Sequence, residues 1–327
     1  MDLLNIIIEQ ILSPPILFFV VGMFAALSRS DLKIPEGMSV SILLFLLIAI
    51  GLKGGVGIRK VDILDVLAPA TAAIFLGVGI VLIGYAILVK LKFDIADAGG
   101  IATHYGAVSA ATMVAGFAFL NERGVYYEPF IPALYPLMDI PALLTGIFLA
   151  RFAIAKKKRG IKIKVDTINL FKECILGKSI LLLISSMIIG YIAGYCGTKG
   201  VMPFFDGMFL GVLCLFMLGM GIDAATRLRE WKKVGIRLLV YACIMPPIHG
   251  IVGVIIGTII GMSIGGATML GIIAGSASYI SAPATIKVAI PEANPSLSLI
   301  SSVAITFPFN IIIGIPLYYK VALMLIG

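Results

Sequence analysis

Two polar motifs interrupt long hydrophobic stretches of this chain, "GAVSAATM" at 106–113 and "GSASYISA" at 275–282. Each motif combines a glycine with small hydroxyl side chains. If a membrane helix breaks at such a motif, its second half begins with unpaired backbone N–H groups and the positive end of a dipole. N–H groups and hydroxyls in that arrangement bind anions. The motifs therefore predict an anion site made by Gly106, Ser109, Ala110, Ala111, Thr112, Ser276, Ser278, Tyr279, Ser281 and Pro283.

The same small residues have a second interpretation, because glycine, alanine and serine also allow membrane helices to pack closely. The occurrence of one motif in each half of the chain favours a binding site. Pro283 agrees with a break just before Ser278, since proline is tolerated in the first turn of a helix.

One carboxylate lies deep in a hydrophobic stretch, Asp139 in "YPLMDIPALLTG". Ionisable residues within a membrane are costly and usually functional. We therefore predict that Asp139 binds a coupling cation, although a polar clamp between helices is an alternative. The residues predicted to assist it are Thr103, Thr306 and Asn310.

Composition places these motifs in a membrane protein. Of 327 residues, 60% are hydrophobic and 13% charged, and the mean hydropathy is +1.12. A soluble domain carries about twice that charged fraction. The net charge of +8 comes from basic residues between hydrophobic stretches, so it does not indicate nucleic-acid binding. The four cysteines and two histidines form no metal or nucleophile motif, and both histidines are expected to be packing residues; we predict neither an enzyme nor a cofactor.

Windows of about 20 apolar residues predict ten transmembrane helices. The most charged stretch, "KKKRGIKIKVDTINLFKE", separates two sets of five. The predicted units are a first repeat at 1–155, a linker at 156–173 and a second repeat at 174–327. The predicted spans are 11–28, 38–58, 63–89, 98–120, 132–155, 175–196, 206–226, 235–261, 267–289 and 297–320.

The two halves resemble each other. The two polar motifs align, and "GLKGGVGIRK" at 51–60 aligns with "GMGIDAATRL" at 219–228 at nearly the same separation. An odd number of spans forces the second repeat to enter the membrane upside down, which is typical of secondary transporters. The sequence therefore predicts an all-α integral membrane fold with two inverted 5+5 repeats and discontinuous helices 4 and 9.

Basic residues predict the orientation. If the linker is cytoplasmic, the loops on its side carry most of the Lys and Arg residues, including Arg227, Arg229 and Arg237. Both termini then lie outside, in a multi-pass protein of the plasma (inner) membrane.

Several strings resemble the SbtA-type sodium-dependent bicarbonate transporter family, in order and over essentially the whole chain. They are the two polar motifs, "ALYPLMDIPAL" at 133–143, "GMGIDAATRL" and "AIPEANPSLSLISSVAITFP" at 289–308. The resemblance implies sodium coupling, a homotrimer and an elevator-like movement of a core (segments 3, 4, 5, 8, 9 and 10) against a gate (segments 1, 2, 6 and 7). It also implies that a PII-like regulator can bind the cytoplasmic face.

Some residues match that family's pattern and others depart from it. Ser109, Thr112, Ser278, Ser281, Pro283 and Asp139 match, whereas Ala110 and Ala111 replace a glycine and a serine, and Tyr279 replaces an acidic residue. We predict sodium-coupled uptake of bicarbonate by a symporter. The alternative is a sodium- or proton-coupled symporter of a small organic carboxylate on the same fold.

Overall fold

A computed structural model of the protein describes residues 2–157, 167–230 and 234–327. Within these ranges the chain forms helices joined by short loops, and it contains no strand. Half of the predicted linker at 156–173, residues 158–166, lies outside the described residues. The helices are α1 (Leu3–Leu12), α2 (Pro14–Leu27), α3 (Glu36–Ile58), α4 (Ile63–Lys90), α5 (Ile95–Gly106), α6 (Ala110–Glu122), α7 (Ile131–Lys157), α8 (Thr167–Ile175), α9 (Lys178–Thr198), α10 (Met202–Leu228), α11 (Gly235–Ile259), α12 (Ile264–Ala274), α13 (Ser281–Ala289) and α14 (Pro295–Ile326).

Seven helices of the described chain are long and apolar enough to cross a membrane: α3, α4, α7, α9, α10, α11 and α14. An eighth span is possible if α1 and α2 cross together, with a bend of 64° between them. The bend lies at Ser13, which is extended because the following Pro14 disfavours helical backbone before it. The predicted spans 98–120 and 267–289 fall outside this count, since each consists of two shorter helices.

Both interruptions lie at the polar motifs. The first separates α5 from α6, and Ser109 begins α6 as its N-cap, accepting a hydrogen bond from the Thr112 N–H at 3.2 Å. The second separates α12 from α13, and here the predicted starting point was wrong. The helix begins at Ser281 rather than Ser278, because the Ser278 N–H is bonded outside the helix to the carbonyl of His104.

The last helix is irregular at two places. Ile300–Thr306 and Asn310–Gly314 are π-helical, each containing one of the predicted cation residues. Wider turns of this kind occur frequently at functional sites, since they displace side chains from the regular α-helical positions.

The helices pack in two groups. In the first, α2 lies along α10 and α3 along α9, with glycines at the contacts. A Cβ at Gly22 would overlap the Leu218 carbonyl oxygen, and one at Gly190 would overlap the Leu52 carbonyl oxygen. In the second group, α4 packs on α5 and α7, and α12 packs on α11 and α14. The broken segments α5–α6 and α12–α13 belong to this second group.

Carboxylates connect the two broken segments away from their breaks. Glu128, in the loop after α6, accepts hydrogen bonds at the start of α12 from the Ser263 N–H at 2.5 Å and hydroxyl at 3.1 Å. Asp97, in the first turn of α5, accepts the N–H of Asn294 at 2.8 Å from the loop after α13. Each loop therefore holds the beginning of the other broken segment, and this arrangement fixes how the breaks meet.

Candidate functional site

The two breaks contact each other directly. The Ser278 N–H donates to the His104 carbonyl at 2.8 Å and to the Ala107 carbonyl at 3.2 Å. In return, His104 Nδ1–H donates to the Ser278 carbonyl at 2.6 Å. The Ser109 N–H donates to Ser276 Oγ at 2.9 Å. Two motifs far apart in sequence thus form one connected site.

Both half-helices begin with backbone donors. Among the described residues, the N–H groups of Ala110, Ala111 and Ser281 have no hydrogen-bond partner. The hydroxyls of Ser278 and Ser281 lie 2.7 Å apart. Free N–H groups at two helix starts, together with two adjacent hydroxyls, provide the donors that an anion requires.

Asp139 is completely buried, at 0% exposure, beside the first break. Its Oδ1 accepts the Val108 N–H at 2.7 Å and the Ser281 hydroxyl at 3.4 Å. Its Oδ2 is buried and has no hydrogen-bond partner in the described part of the chain. Buried charges in proteins are normally paired or bind a metal ion, so this oxygen is a candidate ligand for a cation.

The three other cation candidates are bonded to other groups. Asn310 Nδ2 donates to the Gly275 carbonyl at 2.8 Å, so Asn310 holds the second break as Asp139 holds the first. Thr306 Oγ1 donates to the Ala242 carbonyl at 3.1 Å, and Thr103 Oγ1 to a carbonyl of its own helix. No hydrogen bond joins Asp139 to any of these three in the chain as described.

The remaining predicted anion residues lie at or next to the two breaks. Gly106 ends α5 where a Cβ would lie 2.9 Å from the Gly77 carbonyl oxygen, so it permits α5 to approach α4. Ser276 Oγ donates to the Ile273 carbonyl at 2.8 Å. Thr112 lies in the first turn of α6, and Pro283 is the third residue of α13.

Two residues of the site were missed by sequence reasoning. His104, expected to be a packing residue, bonds to the second break through its ring. Tyr135 lies one turn before Asp139 on α7, is 1% exposed, and its side chain lies beside Ser281. Its presence in the "YPLMDIPAL" string was the only sequence signal for Tyr135.

Two cavities separate α3 and α10 from the broken segments. The first, called the Tyr279 cavity, has a volume of about 610 Å³, and Arg227 lies on its wall. Other wall residues are Ser39, Met220, Asp223, Tyr279, Ser281 and Thr285.

The second, called the Lys53 cavity, has a volume of about 780 Å³. Lys53 and Asp206 form an ion pair of 3.1 Å there. Burial raises the pKa of Tyr127, whose neutral hydroxyl donates to Asn121 Oδ1 at 3.0 Å on the same wall. The boundary between α3 and α10 on one side and the broken segments on the other, called the seam, thus contains one cavity at Arg227 and another at Lys53.

A family model described as the Na⁺-dependent bicarbonate transporter superfamily matches residues 14–323. The chain belongs to this superfamily. Comparison with curated proteins gives no match. Membership confirms the resemblance seen in the motifs. It indicates a multi-pass membrane transporter rather than an enzyme, with bicarbonate and Na⁺ as the species transported in the family.

For a bicarbonate transporter, the chemistry of the site is suitable. Bicarbonate has three oxygens that accept hydrogen bonds and one hydroxyl that donates. The helix starts supply donors, and serine hydroxyls can act either way. Asp139 adds the negative charge that a cation requires, directly beside those donors.

Proposed function

We propose that this protein is a symporter that takes up bicarbonate together with sodium. The observation that carries the proposal is the buried Oδ2 of Asp139, which has no hydrogen-bond partner among the described residues and lies near two helix starts whose first N–H groups also lack one there. The anion would be held by those N–H groups and by the hydroxyls of Ser109, Ser278 and Ser281. Sodium would bind Asp139, with backbone oxygens of the breaks completing its ligands.

Coupling follows from charge. Two unit charges about 5 Å apart repel by about 3 kcal/mol at an effective dielectric constant of about 20. Bicarbonate therefore binds poorly beside an ionised Asp139 unless sodium is already present. A tenfold sodium gradient then supplies about 1.4 kcal/mol for each ion that enters.

For the architecture, we propose ten spans in two inverted repeats, with α5–α6 and α12–α13 as the discontinuous fourth and ninth helices. Their similar placement in each half supports the repeat. Both termini would be outside, and the Tyr279 cavity would open to the cytoplasm, because Arg227 and Arg229 lie at that end of α10.

We also propose an elevator-like movement. The group containing α2, α3, α9 and α10 would stay fixed as the gate, and the group containing both broken segments would move. Carboxylate contacts at Glu128 and Asp97 support movement of the broken segments as one body. The two cavities lie towards opposite ends of α3 and α10, which supports access from both faces. The homotrimer and the PII-like regulator stay predictions of the resemblance.

A small organic carboxylate is the alternative substrate. The Tyr279 cavity, at about 610 Å³, is far larger than bicarbonate requires, which favours keeping this alternative. Such a substrate would use the same N–H groups, since its carboxylate also presents oxygen acceptors.

Purified protein in liposomes tests the proposal. Labelled bicarbonate uptake is measured with an inward sodium gradient, with potassium replacing sodium, and in empty liposomes. We expect uptake only with sodium. Equal uptake with potassium would refute the coupling, and uptake of a labelled carboxylate without uptake of bicarbonate would establish the alternative.

A further inference from the structure

Tyr279 lies between the buried polar groups of the site and the Tyr279 cavity. Ser109, Ser278 and Asp139 are 2%, 1% and 0% exposed, and none of them lines that cavity. Tyr279 and Ser281 are partly exposed and do line it. The cavity therefore ends at Tyr279 and Ser281, with the remaining polar groups behind them.

The aromatic ring is held in this position by both helix groups. The Tyr279 hydroxyl donates to Met220 Sδ at 3.2 Å, on α10. Its ring packs edge-on against Phe307 of α14, with centroids 5.9 Å apart. The Ser109 side chain of the first break lies beside the same hydroxyl. The Tyr279 side chain thus extends from the second break, past Ser109 of the first break, to Met220 of α10 on the other side of the seam.

The contact with α10 is easily broken. A thioether sulfur is a weak hydrogen-bond acceptor, so little free energy holds the hydroxyl on Met220. The ring, in contrast, is large and rigid, with two side-chain torsions, and it fills space that a ligand would otherwise enter.

We propose that Tyr279 separates the Tyr279 cavity from the buried polar groups of the site and limits the size of the anion that reaches Ser109. This role rests on the proposed transport function and refines it. We expect an anion of the size of bicarbonate to pass the ring and a three-carbon carboxylate such as lactate to be excluded. Replacing the ring by a small side chain extends the site into the cavity.

Thiol labelling tests the closure without requiring transport. Ser109→Cys is introduced into a chain whose four native cysteines are replaced by serine, and its modification by an anionic methanethiosulfonate is timed. We expect modification to be about tenfold faster with Tyr279→Ala, because the buried thiol becomes accessible more often. Tyr279→Phe, which keeps the ring, should modify at nearly the original rate. Tyr195→Ala is the matched control, since Tyr195 is 70% exposed on α9.

Uptake by liposomes tests the size limit. The unmodified chain should take up bicarbonate and no lactate, and Tyr279→Ala should take up both. Tyr279→Leu, which keeps an apolar side chain against Phe307, replaces the alanine variant if that variant unfolds. Equal labelling rates in the alanine and phenylalanine variants, or lactate uptake by the unmodified chain, would overturn the proposal. If bicarbonate uptake is absent while Tyr279→Ala still accelerates labelling, the transport function fails and the closure stands.

Discussion

The substitution Asp139→Asn tests the cation site most directly. The amide oxygen can still accept the Val108 N–H, so the first break should keep its position. The amide NH₂ group then takes the place of Oδ2, the oxygen that has no hydrogen-bond partner among the described residues. A cation at that place would meet a hydrogen-bond donor instead of a carboxylate oxygen.

The expected effect is large because the site is fully buried. Removing one member of a buried charge pair costs about 3–5 kcal/mol. Since about 1.4 kcal/mol corresponds to a factor of ten, sodium affinity should fall by about 150-fold to 5000-fold. At sodium concentrations that saturate the unmodified protein, Asp139→Asn should show almost no sodium-dependent uptake.

Two assays measure this effect. The first is bicarbonate uptake into liposomes as a function of external sodium. The second is the unfolding temperature in detergent, since a ligand present at 100 times its Kd stabilises the folded state by about 2.7 kcal/mol. Sodium, but not potassium, should raise that temperature for the unmodified protein and leave it unchanged for the variant.

Asp206→Asn is the control, because Asp206 is half-exposed and belongs to the ion pair with Lys53. It should keep its sodium response in both assays. If Asp139→Asn also keeps the full response in both, Asp139 is a polar clamp and the proposed cation site is wrong.

Three further changes test other parts of the site and the packing. Ser278→Ala should raise the half-saturating bicarbonate concentration by about 10-fold to 150-fold, the value of a hydrogen bond to a charged group; an unchanged value in the uptake assay would remove this hydroxyl from the anion site. His104→Asn places an amide N–H near the position of Nδ1 and should retain uptake, whereas His104→Leu leaves the Ser278 carbonyl without its donor and should lose most of it. Equal uptake rates for the two variants would contradict the bridge between the breaks. Gly22→Ala should lower the free energy of unfolding by about 1–3 kcal/mol because the new methyl group overlaps the Leu218 carbonyl, while Gly79→Ala, which meets nothing within 4 Å, should leave the unfolding temperature unchanged.

The two halves differ at the residues that hold their breaks. Asp139 on α7 accepts an N–H of the first break, and its other oxygen has no hydrogen-bond partner within the described ranges. Asn310 on α14 donates to a carbonyl of the second break, and its own oxygen accepts the Tyr318 hydroxyl at 3.1 Å. The first half thus holds its break with a carboxylate and the second half with an amide.

Much of this site was visible in local sequence. Glycine and hydroxyl residues inside apolar runs indicated where helices are interrupted, and Ser109 is an N-cap whose side chain satisfies a nearby N–H. The start of α13 was placed three residues too early, because the Ser278 N–H has partners in the other half of the chain. His104 was read as a packing residue for the same reason, since its partner lies at Ser278.

The sequence by itself determined that this is a membrane protein of the bicarbonate transporter superfamily, with polar motifs at two places in apolar segments. Those properties depend on composition and on short-range spacing, which are read directly along the chain. Only the tertiary structure decided which groups meet: that the breaks bond to each other, that one buried oxygen of Asp139 beside them has no partner among the residues described, and that Tyr279 reaches α10. Contacts between distant segments depend on how the helices pack, and one sequence contains no direct record of that packing.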